Sequence, residues 1–178
     1  MVSPQTLSEA DRRILAVWAA DCAERVLPLF EADVPDDGRP RDAIERARAF
    51  GSGELSAAGE IRRRFLAFRA AGTAATPAGA AAARAAAQAA AVAHMGAHAL
   101  GAAAYAAKAA ALADAGLSAV GAELQWQVAG LSPQTRSALR LLPPVGEDKA
   151  GPLGPGLLAT GELGANIRAI QSAVSTGV

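Results

Sequence analysis

The chain has 178 residues, of which 52% are hydrophobic and only 4% aromatic, and about a quarter are alanine. This length is typical of one domain with a buried core. Alanine has the highest helix propensity, and few residues that favour strands are present. We therefore predict an all-α, single-domain helical bundle. The 17 basic and 17 acidic residues cancel, which argues against nucleic acid or an anionic membrane as a partner.

The sequence also indicates the compartment. Cys22 is the single cysteine, so an internal disulfide is excluded, as is typical of reducing compartments. The first residues are polar and charged rather than an apolar signal core. The uncharged stretch between Arg84 and Lys108 is long enough to span a bilayer, but it is mostly alanine with two histidines and a glutamine. We interpret it as a buried helix and expect a cytoplasmic protein.

The first helix is predicted from Thr6 onward, where Thr6-Leu7-Ser8-Glu9 has the spacing of a capping box. Pro28 is expected to kink or end this helix just before it, unless the following residues add another turn. A second helix is predicted from Pro40 to about Phe50, followed by a glycine-containing stop. A third is predicted over about 57–71.

The most distinctive stretch is alanine-rich and predicts one long helix over about 78–115, capped by Gly116. Such a helix would be over about 50 Å long, so Gly96 and Gly101 are candidate points for a bend or division. At helical spacing, a few larger residues share one side of it and the rest is almost entirely alanine and glycine. These larger residues are His94, His98, Tyr105 and Lys108, with Arg84, Gln88 and Met95 beside them.

Two further helices are predicted over about 118–129 and 133–142. We assign residues 1–144 to the bundle and residues 145–178 to a Gly/Pro-rich mobile linker with a short amphipathic C-terminal helix. Leu163, Ile167, Ile170 and Val174 form one apolar stripe on that helix. The stripe is expected to dock on the bundle, to form a homodimer through residues 162–175, or to order with a partner.

The chemistry centres on the two histidines, His94 and His98, one helical turn apart. Two imidazoles at this spacing can bind one metal, but the glutamate of an HExxH motif and a third histidine or cysteine ligand are missing. Buried histidines satisfied by hydrogen bonds, or a pocket for a ligand or proton transfer, are the other interpretations. Nucleophile-elbow, Walker and dinucleotide motifs are also missing. We expect no metal, no cofactor and no enzymatic activity; an enzyme would use His94, His98 and Tyr105.

Three strings resemble the bacterial immunity-protein-five-like group of putative immunity proteins. They are WAADCAERVLPLFE (18–31), RPRDAIERARAF (39–50) and AAQAAAVAHMGAHALGAAAYAAKA (86–109). The resemblance implies a small cytoplasmic all-helical protein that neutralises a cognate toxin by binding it. Phe50 stands where that family is expected to have tryptophan, and the segment from Val145 lies outside the resemblance. The positions that match the family pattern, and that it implies as binding residues, are Glu24, Arg39, Arg41, Glu45, His94, His98 and Tyr105.

Two functional hypotheses follow. The first is a non-enzymatic binding protein that neutralises a toxin, as the resemblance implies. The second is a small-molecule-binding, biosynthetic or self-resistance protein with a polar pocket between helices around His94, His98 and Tyr105. Glu24 and the arginines of the Arg39-Pro40-Arg41 string are the predicted neighbours of that pocket.

Overall fold

A computed structural model of the chain describes residues 3–63, 65–114 and 117–176. The regular structure in these ranges is entirely helical, which confirms the predicted all-α helical bundle. A short 3₁₀ turn, Leu157–Ala159, precedes the last helix. The helices are α1 (Glu9–Asp33), α2 (Arg39–Ser52), α3 (Ala57–Arg63), α4 (Phe65–Ala70), α5 (Pro77–Ala91), α6 (His98–Ala113), α7 (Leu117–Ala129), α8 (Pro133–Arg140) and α9 (Gly161–Thr176).

Helix α1 begins later than predicted, and of the two predicted outcomes at Pro28 the continuation of the helix is the one observed. Ser8, not Thr6, is the N-cap, and its hydroxyl accepts a hydrogen bond from the Asp11 backbone N–H at 3.1 Å. The helix continues through Pro28 to Asp33. Pro28 lies on the exposed side of the helix, where its ring and missing N–H disturb only the outer surface. Buried apolar residues on both sides of it keep α1 packed on the core.

The predicted start and stop of α2 and the predicted start of α5 are confirmed. Helix α2 ends at Ser52, and Gly53 follows in a left-handed conformation (φ 89°) that glycine adopts without a steric cost. Thr76 is the N-cap of α5, and its side chain accepts from the Gly79 N–H at 3.0 Å, with Pro77 at the first helical position. Helical structure is also found where the third helix is predicted, over Ala57–Arg63 (α3) and Phe65–Ala70 (α4), and residue 64 lies outside the described residues.

The prediction of one long alanine helix is wrong, because the stretch divides into α5 and α6 at residues 92–97. The N-terminal segment enters this connection: the Gly96 N–H donates to the Thr6 carbonyl at 3.1 Å. A Cβ on Gly96 would lie 2.7 Å from the Leu7 side chain, so only glycine allows this approach. Gly96 is thus a division point, as predicted, whereas Gly101 lies within α6 and Gly116 lies outside the described residues. None of the helices in the described ranges combines the length and apolar character needed to cross a bilayer.

The centre of the bundle is a contact between the alanine-rich faces of α1, α5 and α6, which pack on one another. Small side chains let helix backbones approach closely, so the core is dense although each alanine buries little area. Larger residues, such as Phe30 of α1 and Phe50 of α2, are fully buried in the same core. The fully buried alanines at the centre include Ala19, Ala20, Ala82, Ala83, Ala85, Ala86, Ala102, Ala103 and Ala104.

The segment after Pro144 packs on the bundle in the same chain. Helix α9 contacts α6, α7 and α8, and its predicted apolar stripe, Leu163, Ile167, Ile170 and Val174, is buried. Arg140 of α8 donates to the Val174 carbonyl at 2.8 Å, a favourable position for a cation at a helix C-terminus. The stripe is therefore already covered within this chain. The division into 1–144 and 145–178, and a homodimer through 162–175, remain predictions.

The Gly/Pro-rich segment before α9 is held in place by Gln5, which is 1% exposed. The Gln5 amide donates to the Asp148 carboxylate at 2.7 Å and to the Ala150 carbonyl at 2.6 Å. It also accepts from the Leu153 backbone N–H at 2.9 Å. The expectation of a mobile linker was based on composition and could not include these bonds, which join residues almost a full chain length apart.

We expect Ala86→Leu to lower the free energy of unfolding by about 1–3 kcal/mol, because three more carbons do not fit where Ala86 is fully buried between helices. Urea denaturation followed by circular dichroism measures this change. Ala122→Leu, on the exposed side of α7, is the matched control and should change stability by less than about 0.5 kcal/mol. Equal stability of the two variants would contradict close packing at Ala86.

Candidate functional site

The two histidines lie at the α5–α6 connection, which we call the histidine corner (residues 92–98). His94 is in the connection itself and His98 is the first residue of α6; both are partly buried. His98 Nδ1 lies 2.7 Å from the Gln88 amide oxygen. Because that oxygen only accepts, Nδ1 is the donor of this bond. Gln88 therefore orients the His98 ring.

The backbone around the histidine corner is fixed by the N-terminal segment. The Ala97 N–H donates to the Gln5 carbonyl at 3.1 Å, beside the bond from Gly96 to Thr6. Leu7 has a φ of 61°, a left-handed conformation that is rare for leucine and costs energy. Its side chain packs over Gly96. The histidine corner is therefore where the N-terminal segment, the α5–α6 connection and the segment bound by Gln5 come together.

Tyr105 lies two turns into α6 and is only 5% exposed. Burial raises the pKa of Tyr105, and the charge of Arg84 on α5 acts in the opposite direction. The side chain is therefore a neutral phenol at pH 7, with the character of a core residue. Lys108, the other large residue on the predicted polar face, pairs with Glu162 of α9 at 3.4 Å.

Arg39 and Arg41, the arginines of the predicted site, lie near the C-terminal end of α1, whereas the histidine corner lies near its N-terminal end. Arg39 binds the Asp37 carboxylate through two bonds, of 2.8 Å and 2.5 Å. Arg41 binds Glu31 at 2.7 Å, and Glu45 is exposed on α2. Both arginines thus have carboxylate partners next to the turn between α1 and α2.

The sequence predicted that these arginines lie beside the histidines. The structure does not place them together. The histidine corner is bound to residues that immediately precede α1, whereas Arg41 is bound to Glu31 near the end of α1. From Glu9 to Glu31, a rise of about 1.5 Å per residue places these ends about 33 Å apart. Roles for the individual residues in binding remain predictions.

Glu24 belongs to a different site, a cleft between α1 and α7 of about 330 Å³ that we call the tryptophan cleft. Helical spacing places the α1 residues of the cleft on one face of that helix. The other cleft residues lie at the C-terminal end of α7. The sequence signal for this site was the pair of tryptophans, but their placement across from each other depends on the tertiary fold. The lining residues are Trp18, Asp21, Glu24, Arg25, Trp126, Gln127 and Gly130.

Hydrogen bonds and a stacked pair fix the walls of the tryptophan cleft. The Trp18 indole N–H donates to the Gln127 carbonyl at 3.0 Å in a buried position. Arg25 donates to Glu123 at 2.6 Å, and its guanidinium lies 4.4 Å from the centre of the Trp126 ring. Trp126 remains 39% exposed. The result is a rigid aromatic surface that faces solvent.

The acidic side of the cleft is Asp21 and Glu24, which share one cation. The Arg48 guanidinium of α2 lies 2.9 Å from Asp21 and 2.5 Å from Glu24. Burial raises the pKa of Asp21 above its usual value, while Arg48 lowers it and the charge of Glu24 raises it. Cys22, next in the chain, is fully buried, and burial raises the pKa of its thiol well above the usual range. This thiol is therefore inert rather than nucleophilic.

The inner side of α7 is polar rather than apolar. Val120, Leu124 and Val128 are partly buried, whereas Glu123 and Gln127 are the buried residues. Gln127 donates to the Ala103 carbonyl of α6 at 3.1 Å and to Glu123 at 3.2 Å. These polar contacts orient α7, and with it Trp126, on the alanine core.

Within the described residues, no three His, Cys, Asp or Glu side chains are grouped so that they could hold a metal ion. The fold and the cleft thus define a small helical protein with an aromatic and charged surface between α1 and α7.

The family model for Imm-5 like putative immunity proteins matches residues 5–134. The match covers most of the chain, from the segment before α1 into the start of α8. This chain therefore belongs to that family. The comparison with curated proteins gives no match, and the comparison with solved structures gives none either.

Asp37 gives a test of the structural role of Arg39. The bond from Arg39 lowers the pKa of Asp37 from 3.8 to about 2. Because the folded-state pKa is depressed, this stabilisation is present above the ordinary pKa and is lost as pH falls through about 2. We expect Asp37→Asn to lower the free energy of unfolding at pH 7 by about 1 kcal/mol.

Urea denaturation at a series of pH values measures this effect. The difference between Asp37→Asn and the wild type should shrink from about pH 4 to about pH 2. Asp36→Asn, at the exposed neighbouring position, should match the wild type within about 0.5 kcal/mol. A difference that stays constant down to about pH 2 would show that the Asp37 charge does not stabilise the turn.

Proposed function

We propose that this chain is an immunity protein that binds a toxin protein and blocks it without catalysing a reaction. The observation that supports this most is the family match over residues 5–134. The matched region includes α1 to α7 and therefore both walls of the tryptophan cleft. Immunity of this kind requires a surface that recognises one partner protein.

The face around the tryptophan cleft has the composition of a protein-binding surface. Tryptophan and arginine are enriched among residues that dominate binding energy. Here Trp126 is 39% exposed and is already held in place by Arg25, so little side-chain entropy is lost when a partner binds. Charged groups surround this aromatic surface, as on the rim of many interfaces.

The second candidate function is a small-molecule site at the histidine corner, and one observation favours it. His98 is oriented by its contact with Gln88, and acid–base catalysis requires a positioned side chain of this kind. In that case His94 and His98 act on a ligand, and the protein would protect its host by chemistry or sequestration rather than by binding a toxin.

Co-expression distinguishes the two functions. This chain is produced in a host together with a toxin gene from its own chromosomal neighbourhood, and survival and co-purification are measured. We expect the wild type to restore growth and to form a complex with the toxin. Protein with both His94→Gln and His98→Gln should keep this protection, with affinity for the toxin reduced less than about tenfold.

Circular dichroism of the purified histidine variant serves as the control for folding. A folded variant that still binds the toxin but no longer protects the host would favour the histidine-corner function. A wild-type chain that neither binds nor protects against the toxins encoded beside it would contradict the immunity proposal.

A further inference from the structure

We propose that the tryptophan cleft binds a basic side chain, arginine or lysine, presented by the partner protein. This inference rests on the proposed function and names the chemistry at its contact surface. The occupant we infer is one cationic side chain, positioned against Trp126 with its charge next to Asp21 and Glu24.

The charges at the cleft are not balanced. Three carboxylates, Asp21, Glu24 and Glu123, lie with two guanidiniums, Arg25 and Arg48. Arg25 is bound to Glu123, whose side chain is only 5% exposed, so that pair is neutral.

The surplus negative charge therefore lies on the pair that shares Arg48. The side chains of Asp21 and Glu24 are 45% and 51% exposed, so both are within reach of a partner. One more cation would balance the negative charge of Asp21 and Glu24. Burial is the main cause of the raised pKa of Asp21; Arg48 lowers this pKa, and the neighbouring charge of Glu24 raises it.

The aromatic side of the cleft favours the same ligand. A cation over the face of tryptophan is attracted by the ring, and tryptophan gives the strongest such contact among the aromatic residues. Trp126 already binds one guanidinium in this way, that of Arg25. The volume of about 330 Å³ is at the lower limit of small-molecule pockets, which is suited to a single long side chain.

The hydrogen-bonding capacity of the exposed carboxylates favours a donor as the ligand. Arginine and lysine side chains provide only hydrogen-bond donors, which the Asp21 and Glu24 carboxylates can accept. An anionic ligand would instead be repelled by these two carboxylates.

The test uses three short peptides and the full chain. Blocked peptides Gly-Arg-Gly and Gly-Lys-Gly supply the cation, and Gly-citrulline-Gly is the neutral match of the first. The indole N–H signals of Trp18 and Trp126, identified with Trp126→Phe, are followed by nuclear magnetic resonance during titration. We expect saturable shifts of Trp126 with the two basic peptides, with dissociation constants on the order of millimolar.

The Trp18 indole, which is bound to the Gln127 carbonyl in a buried position, serves as the internal reference. Its signal should shift less than that of Trp126. The citrulline peptide should give no saturable shift, because it lacks the charge.

Variants locate the binding charge. Asp21→Asn with Glu24→Gln should weaken arginine-peptide binding by about tenfold. Asp36→Asn with Glu147→Gln removes the same two charges at exposed positions outside the cleft, and should leave the affinity unchanged. Denaturation curves confirm that both proteins fold; if the first does not, Glu24→Gln alone replaces it and should weaken binding by about threefold.

The outcome of the peptide experiment tests the cation site and does not depend on whether the chain gives immunity to a toxin. Equal shifts with the arginine and citrulline peptides, or equal weakening by the two double variants, would overturn the cation site. So would the lack of any Trp126 shift. Protection in the co-expression assay together with such a result would leave the immunity function in place and remove only the cleft as its contact.

Discussion

The close contact between the alanine faces of α1, α5 and α6 is the constraint on which the rest of this structure depends. Helices whose facing side chains are methyl groups approach more closely than ordinary helix pairs, and the stabilisation comes from dispersion over many short contacts. The same contact limits what the centre of the bundle can contain. Ala86 and Ala103, both fully buried, show how little room is left there for larger groups.

Polar and aromatic residues are consequently found where this contact ends. The histidine corner lies at the turn of the α5–α6 pair, and its backbone is fixed by Gln5 and Gly96. The tryptophan cleft lies along the outer side of α1, where α7 packs on the core through Glu123 and Gln127. A rigid core with polar and aromatic residues at its edges suits a protein that presents a preformed surface to a partner.

Local signals in the sequence were sufficient for much of the fold. Thr76 with Pro77 predicted a helix start, and the glycines after Phe50 predicted a helix end, because caps depend on a few adjacent residues. The division of the alanine stretch could be assigned only to candidate glycines. Alanine favours helix equally on both sides of residues 92–97, and the break depends on hydrogen bonds to Gln5 and Thr6, some ninety residues earlier.

The candidate functional site shows the same difference between local signals and contacts that depend on the tertiary fold. Glu24 and His98 were identified by type and by resemblance, yet their neighbours were assigned to the wrong places. Spacing along a helix reveals which residues share a face, but it does not reveal which other helix lies opposite. Trp126 meets α1 only after α7 has packed on the core, so the tryptophan cleft had no signature in the sequence beyond the residues themselves.

We propose that α1 and α7 together present the surface that recognises a partner protein. Hydrogen–deuterium exchange of this chain, free and in complex with a toxin that co-purifies with it, tests this proposal most directly. The account predicts slower exchange in the complex over residues 18–25 and 123–130, with little change at 92–98. Protection confined to the histidine corner, or an unchanged α1–α7 face in a formed complex, would contradict it.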